Sequence, residues 1–239
     1  MLIRTLIDGI TRVLGVMTRR RRIAPRALPG SDRVKVNLGC GLAVAPGWWN
    51  VDASLNALIA GWPSFLHRIT YRASGSSRYY SEEQYRALLR DNRFVHHDLG
   101  DSIPFQSGTV DYVYTSHFLE HLFEKEGARL LEEACRVLKP GGTIRVCVPD
   151  LAYAVELYRH GDKERMLRDY FFVEDMGSYL ARHKYMYDFE LLSKALLAAG
   201  FHDVTRCGYR KGVVPDIEIL DNRPDETLFV EARRPALIP

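Results

Sequence analysis

The sequence predicts an α/β protein built on a doubly wound, mostly parallel sheet, and three observations carry that prediction. Short β-rich runs alternate with stretches of helical periodicity from Val34 to Val148. The first run, Val34-Lys35-Val36-Asn37-Leu38, passes straight into Gly39-Cys40-Gly41, a strand-to-glycine turn of the kind that lets backbone approach a nucleotide. The 239 residues are 46% apolar and 26% charged, proportions that exclude a disordered or collagenous chain and suit one sizeable domain with an appendage.

The appendage comes first. Leu2, Ile3, Leu6, Ile7, Ile10, Val13, Leu14 and Met17 recur every three or four residues and predict an amphipathic helix. Four arginines, Arg19 to Arg22, follow it, and Pro25, Pro29 and Gly30 end any helix there. The reading is an arm over residues 1–32 and a domain over 33–239. Charge separates the two ends of the chain. Residues 1–35 carry 9 basic and 2 acidic side chains, or +7, which leaves 24 against 28, or −4, of the total +3 for residues 36–239. The body therefore lacks the basic face expected of a nucleic-acid enzyme. A stripe beside four arginines suits an anionic membrane surface, its own domain or a second copy of the chain. The arginines follow the apolar part, the reverse of a secretory signal, and no apolar run reaches the roughly 18 residues of a membrane span. Cys40, Cys135, Cys147 and Cys207 stand far apart, without C-x-x-C pairs or histidines at ligand spacing. A reducing, cytoplasmic setting with no metal is expected, with peripheral contact at the inner membrane face if the arm binds lipid.

Within the body, Pro46-Gly47 turn the chain into a second strand, Trp48 to Val51, with Asp52 at its tip. A carboxylate there can accept both hydroxyls of a ribose. Only 11 residues separate Gly41 from Asp52, so the first crossover is a loop or a short turn of helix. Val44 stands where a dinucleotide fingerprint has its third glycine, and the lysine of a P-loop is missing, which disfavours NAD and ATP. After a variable stretch, Phe94-Val95-His96 read as the third strand, followed by Asp98-Leu99. Val110 to Tyr114 form the fourth, ending at Thr115-Ser116-His117. Leu119, Leu122, Ala128, Leu131, Ala134, Val137 and Leu138 mark helical faces, stopped by Lys139-Pro140-Gly141-Gly142, and Thr143 to Val148 read as a wholly buried fifth strand. Asp188 caps a helix that runs to Ala199.

Taken together, VNLGCG, Asp52, HHDLGDSIPFQSGTVDYVYTSHFLEHL and RVLKPGGTIRVCVPD resemble the class I S-adenosylmethionine-dependent methyltransferases over about Val34 to Val148. HKYMYDFELLSKALLAAGF and ILDNRPDETLFVEA resemble a bacterial subgroup associated with surface-polysaccharide and small-molecule pathways. The resemblance implies a Rossmann-like, seven-stranded sheet and S-adenosylmethionine as cofactor. It also implies that Asn37, Gly39, Cys40 and Gly41 approach the cofactor's amino-acid and sugar parts, that Asp52 holds the ribose, and that Asp98 and Leu99 border the adenine. Trp48 and Trp49 would pack near the methionine end, and Ser116 and His117 would line the side of the donor methyl.

A sulfonium methyl is already activated, so the protein's main task is aligning an acceptor, and a hydroxyl acceptor also needs a base. His117 is the first candidate and His183 the second. His121 is a third, although with Glu120 it reads equally well as a helix residue bonded locally. Tyr185 and Tyr187 would close over the acceptor, and the aromatic segment from Tyr153 to Tyr179 suits either a sugar ring or a core. The expected activity is O-methylation of a small-molecule hydroxyl, on a saccharide or glycan-linked acceptor. The alternatives are a non-sugar natural product and a non-catalytic cofactor-binding module that docks through its arm. Nucleobase methylation, with its Asn/Asp-Pro-Pro-aromatic element, is disfavoured by Thr115-Ser116-His117-Phe118 at that place.

Overall fold

The structure, a computed structural model, describes residues 20–171 and 182–236. The amphipathic helix expected at the N-terminus lies outside these residues. Seven strands form one sheet in the order β3-β2-β1-β4-β5-β7-β6. They are β1 Lys35–Leu38, β2 Trp48–Asp52, β3 Arg93–His96, β4 Val110–Ser116, β5 Leu138–Pro149, β6 His202–Cys207 and β7 Thr227–Arg233. β1 pairs in parallel with β2 and β4, β2 with β3, and β4 with β5, while β7 runs antiparallel between β5 and β6. This is the mostly parallel, seven-stranded sheet of the class I methyltransferase fold, and its strand order reverses between β1 and β4.

Strict alternation along the strands builds two unlike faces. Val36, Leu38, Trp49, Val51, Val113, Ile144, Val146, Val148, Leu228 and Val230 point into the main core. That core is covered by α4 (Glu124–Val137) through Leu130, Leu131, Ala134 and Val137, and by α7 (Phe189–Ala198) through Leu192 and Leu196. Ala128, expected on the buried face of α4, is exposed, and Gly127 takes that place because Tyr187 crosses it. The opposite face packs Trp48, Tyr114, Cys147 and Phe229 against α8 (Ile217–Leu220). It also buries charge. Arg145 of β5 is fully enclosed, with Nη2 2.6 Å from Asp221 Oδ2 and Nη1 3.1 Å from Glu231 Oε1. It also donates to the Gly208 and Lys211 carbonyls.

The first crossover, residues 39–47, contains turns and no helix. The stretch read as variable holds α1 (Leu55–Ile59), α2 (Ser64–Ala73) and α3 (Glu82–Asp91), which pack Ile59, Tyr85 and Leu89 together beyond β2. α3 begins with a reciprocal capping box between Ser81 and Gln84. β5 starts at Leu138, directly from α4, so Lys139 to Gly142 form a bulge within the strand between the Val110–Leu138 and Tyr112–Thr143 pairs. After β5 come α5 (Leu151–Arg159) and α6 (Lys163–Met166). Ahead of β1, Ile23 bridges to Phe105 and Arg26 O accepts from Trp49 Nε1, so the chain already lies on the domain from Ile23 onward.

Candidate active site

The site forms where the carboxyl ends of β1, β2 and β4 meet. Gly39 and Gly41 both have positive φ, at 64° and 51°, yet for different reasons. A Cβ on Gly39 would collide with the Phe118 ring, so this glycine serves packing within the chain. A Cβ on Gly41 would meet nothing within 4 Å, so this is the open part of the loop. Asp52 faces the loop from the tip of β2, its Oδ2 accepting from Gly41 N at 2.9 Å and its Oδ1 from Ser54 N at 2.7 Å. Each carboxylate oxygen keeps a further lone-pair direction for a ribose hydroxyl.

Asn37 is buried beneath the loop, where its amide donates to Ala43 O at 2.8 Å and approaches Asn50 Oδ1 at 3.2 Å. It braces the turn instead of presenting a free amide. Cys40 is buried too; burial first, and then the charge of Asp52, push its thiol well above the ordinary range, so it remains protonated. Asp98 closes a local turn by accepting from Gly100 N at 3.0 Å, and Leu99 is buried in the main core, which leaves only its backbone to border a ligand. Trp48 and Trp49 direct their indole N–H groups to Asp216 and to Arg26 O, so both work within the fold and neither indole N–H is left for a cofactor.

β4 ends at Ser116, and His117 follows in the left-handed region at φ 49°, uncommon for a residue with a side chain. Its backbone N–H is tied to Cys147 O at 2.9 Å. Its Nε2 lies 3.1 Å from Thr227 Oγ1, and Thr227 in turn donates to Asp225 O, so Nε2 carries the hydrogen in the neutral ring. The lone pair is then on Nδ1, 3.5 Å from Arg223 Nη1 and 3.6 Å from Glu120 Oε1. Thr227 and Arg223 come from the C-terminal segment, which folds back over the end of β4. Glu120 is fully buried, and neither of its carboxylate oxygens has a hydrogen-bond partner among the described residues. Burial alone would raise its pKa, but His117 and then His121 outweigh that and hold it below the ordinary range.

The turn Leu119–His121 also anchors a distant segment. Glu120 O accepts from Lys184 N at 2.7 Å and His121 O from Lys184 Nζ at 2.7 Å. These contacts bring His183 against His121, ring centroids 5.1 Å apart. Burial lowers the His183 pKa, the Glu120 charge opposing it. His117, Glu120, His121 and His183 thus gather in one place, although the sequence separates His121 from His183 by 62 positions. Of the aromatic candidates, Tyr187 is core, its hydroxyl lying over Gly127, and Tyr170 is buried against Ala154 and Leu157. Tyr153, Tyr158 and Phe171 are exposed, and residues 172–181, which include Tyr179, lie outside the described residues.

Comparison with known proteins agrees with this architecture. Residues 69–146 match the profile of a family described as "Methyltransferase domain". A demethylmenaquinone methyltransferase of Clavibacter sepedonicus is 33% identical over 144 residues, 54% of this chain and 55% of that protein. The chain therefore spans about half the length of the curated relative it matches. A possible exported protein of Bordetella parapertussis has a similar fold, with a TM-score of 0.51, 16% identity, and coverage of 98% of this chain and 68% of its own. A solved S-adenosylmethionine-dependent methyltransferase of Thermotoga maritima, described as a possible histamine N-methyltransferase, aligns with 98% of this chain and 91% of its own at 13% identity and a TM-score of 0.48. The cofactor indicated by the family match and the fold together is S-adenosylmethionine. Residues 69–146 thus resemble a methyltransferase domain, and the sheet around them has the strand order of the class I methyltransferase fold.

Proposed function

We propose that the protein transfers the methyl group of S-adenosylmethionine to a hydroxyl of a small molecule, a saccharide or glycan-linked acceptor by preference. The observation that carries this reading is the placement of His117 at the end of β4, next to the strand that feeds the glycine loop, with its Nδ1 3.6 Å from the buried Glu120, whose charge favours a protonated ring. Gly41 and Asp52, which face each other at the switch in strand order, would hold the cofactor, with Asp98 toward its adenine.

When bound, S-adenosylmethionine would supply an activated methyl group, the acceptor oxygen taking the carbon while the electron pair of the broken carbon–sulfur bond stays on the sulfur of S-adenosylhomocysteine. The hydroxyl proton passes to His117 Nδ1, where Glu120 stabilises the imidazolium that results. Alignment contributes the larger part of the acceleration, about 7–11 kcal/mol where the geometry is well held.

Methyl-labelled S-adenosylmethionine incubated with the protein and candidate sugars tests the reading by mass spectrometry. Label on a sugar hydroxyl supports it. Label confined to non-sugar compounds, such as quinol-type rings, replaces the acceptor class but keeps the enzyme. Cofactor binding without transfer to any extract would favour a non-catalytic module.

A further inference from the structure

We propose that Glu120, His121 and His183 bind a divalent transition-metal cation of the manganese-to-zinc series at the acceptor side of the site. Their ligand atoms, one from each side chain, all lie within 4.8 Å of one another. Bonds of about 2.0–2.2 Å place neighbouring ligand atoms about 3–4 Å apart, so the three side chains need close by only about an ångström.

Two independent features aim these residues at a cation. The first is Glu120, a carboxylate with a side chain 1% exposed and with both oxygens unpartnered among the described residues. A carboxylate in that state has lost its water and gained no donor, and its nearest nitrogen neighbours, His117 Nδ1 at 3.6 Å and His121 Nε2 at 3.8 Å, stand beyond good hydrogen-bond reach. A cation would satisfy it. The second is the pair of ring orientations. His183 Nδ1 lies 2.7 Å from Tyr170 O and His121 Nδ1 lies 3.2 Å from Arg182 O. A carbonyl only accepts, so each Nδ1 carries the hydrogen, and each neutral ring keeps its Nε2 lone pair free. Metal-binding histidines are fixed in this same way, with one nitrogen on a carbonyl and the other on the metal.

One carboxylate and two imidazoles make a borderline donor set that suits manganese, iron, cobalt or zinc better than magnesium, which prefers oxygen. Three protein ligands also leave coordination positions open. The role given to the cation rests on the methyl-transfer reading. It would hold the acceptor oxygen beside His117 and make its hydroxyl more acidic, so that alignment and deprotonation are served by one centre.

The test is binding, not turnover. The purified full chain, stripped with chelator, is titrated with Co2+ and followed by its visible absorption, with Zn2+ and Mg2+ as competitors. One equivalent of Co2+, displaced by Zn2+ and not by equimolar Mg2+, is expected. E120Q, H121A and H183A should each weaken binding by about tenfold or more. H160A, at an exposed histidine just after α5, should bind like wild type. Thermal unfolding of each variant shows whether it is folded, and E120Q, which keeps the shape of the side chain, serves as the decisive one if an alanine variant is not. No saturable Co2+ binding, or the same affinity in folded E120Q and wild type, overturns the site. Titration with S-adenosylmethionine is run separately: cobalt binding without cofactor binding would keep the metal site and remove the methyltransferase reading.

Discussion

At the scale of single residues, work that the sequence assigns in common to a glycine motif is divided among its neighbours. Gly39 yields space to Phe118, Asn37 props the turn from below, Cys40 stays a buried thiol, and Gly41 with Asp52 presents the surface a ligand would meet. Asp52→Ala should therefore weaken S-adenosylmethionine binding by about tenfold or more, the scale of lost charge-assisted hydrogen bonds. Gly39→Ala should instead destabilise the fold by about 1–3 kcal/mol through the clash with Phe118, visible in a denaturant titration. His117→Ala should lower turnover by about 100-fold or more with little change in cofactor affinity. A turnover close to wild type would move the base to His183 or show that none is required.

At the scale of elements, the strands and their ends were legible because parallel strands buried on both faces read as short apolar runs closed by turn residues. Trp48 to Asp52 and Val110 to Ser116 fall where the sequence places them, and Asp188 does cap α7, its Oδ1 accepting from Leu191 N at 2.9 Å. The partnerships that join remote segments were not legible. Nothing local says that Arg145, inside an apolar strand, will meet Asp221 and Glu231 across 76 and 86 positions. Nor does it say that Lys184 will pin His183 against the turn at Glu120. For Glu120 and His121 the sequence leaves a base candidate and a locally bonded helix residue equally open, because helical spacing explains them locally. Their chemistry depends on what the fold lays against them.

The buried ion network makes a prediction at this scale. Arg145→Met leaves Asp221 enclosed without its cation and should cost about 3–5 kcal/mol, measurable as a lowered urea midpoint. A second prediction concerns acid. Burial alone would raise Asp111 and Asp216, but Lys139 and Val34 N–H on the first, and Lys35 and Trp48 N–H on the second, hold both below the ordinary range. Folded values below unfolded ones mean stability that is complete above the unfolded carboxylate pKa, about 3.9 for aspartate, and lost as pH falls through it toward the folded values. The urea midpoint should fall between about pH 5 and pH 3, and less steeply in Asp111→Asn, which begins from a lower stability.

For the molecule as a whole, the charge of +3 joins a mildly acidic body to a basic N-terminal end. Part of that basic end belongs to the fold, since Lys35 pairs with Asp216 at 2.6 Å and Arg33 lies 3.6 Å from Asp111. Arg22 also acts on the domain, its charge helping to hold Glu133 below the ordinary carboxylate range. No helix among the described residues is long and apolar enough to cross a membrane, and membrane contact through residues 1–22 is our proposal. A chain lacking residues 1–22 keeps Ile23 and its bridge to Phe105, so it should melt within a few degrees of the full chain and lose flotation with anionic vesicles. Equal flotation of the two forms would remove the membrane role.

The central claim is that S-adenosylmethionine sits across the switch point between Gly41 and Asp52. Isothermal titration of the full chain and of Asp52→Ala with S-adenosylmethionine addresses it most directly. We predict one site per chain, with affinity reduced about tenfold or more in a variant that still unfolds cooperatively. Absence of binding to the wild type, or equal affinity in the folded variant, would contradict it.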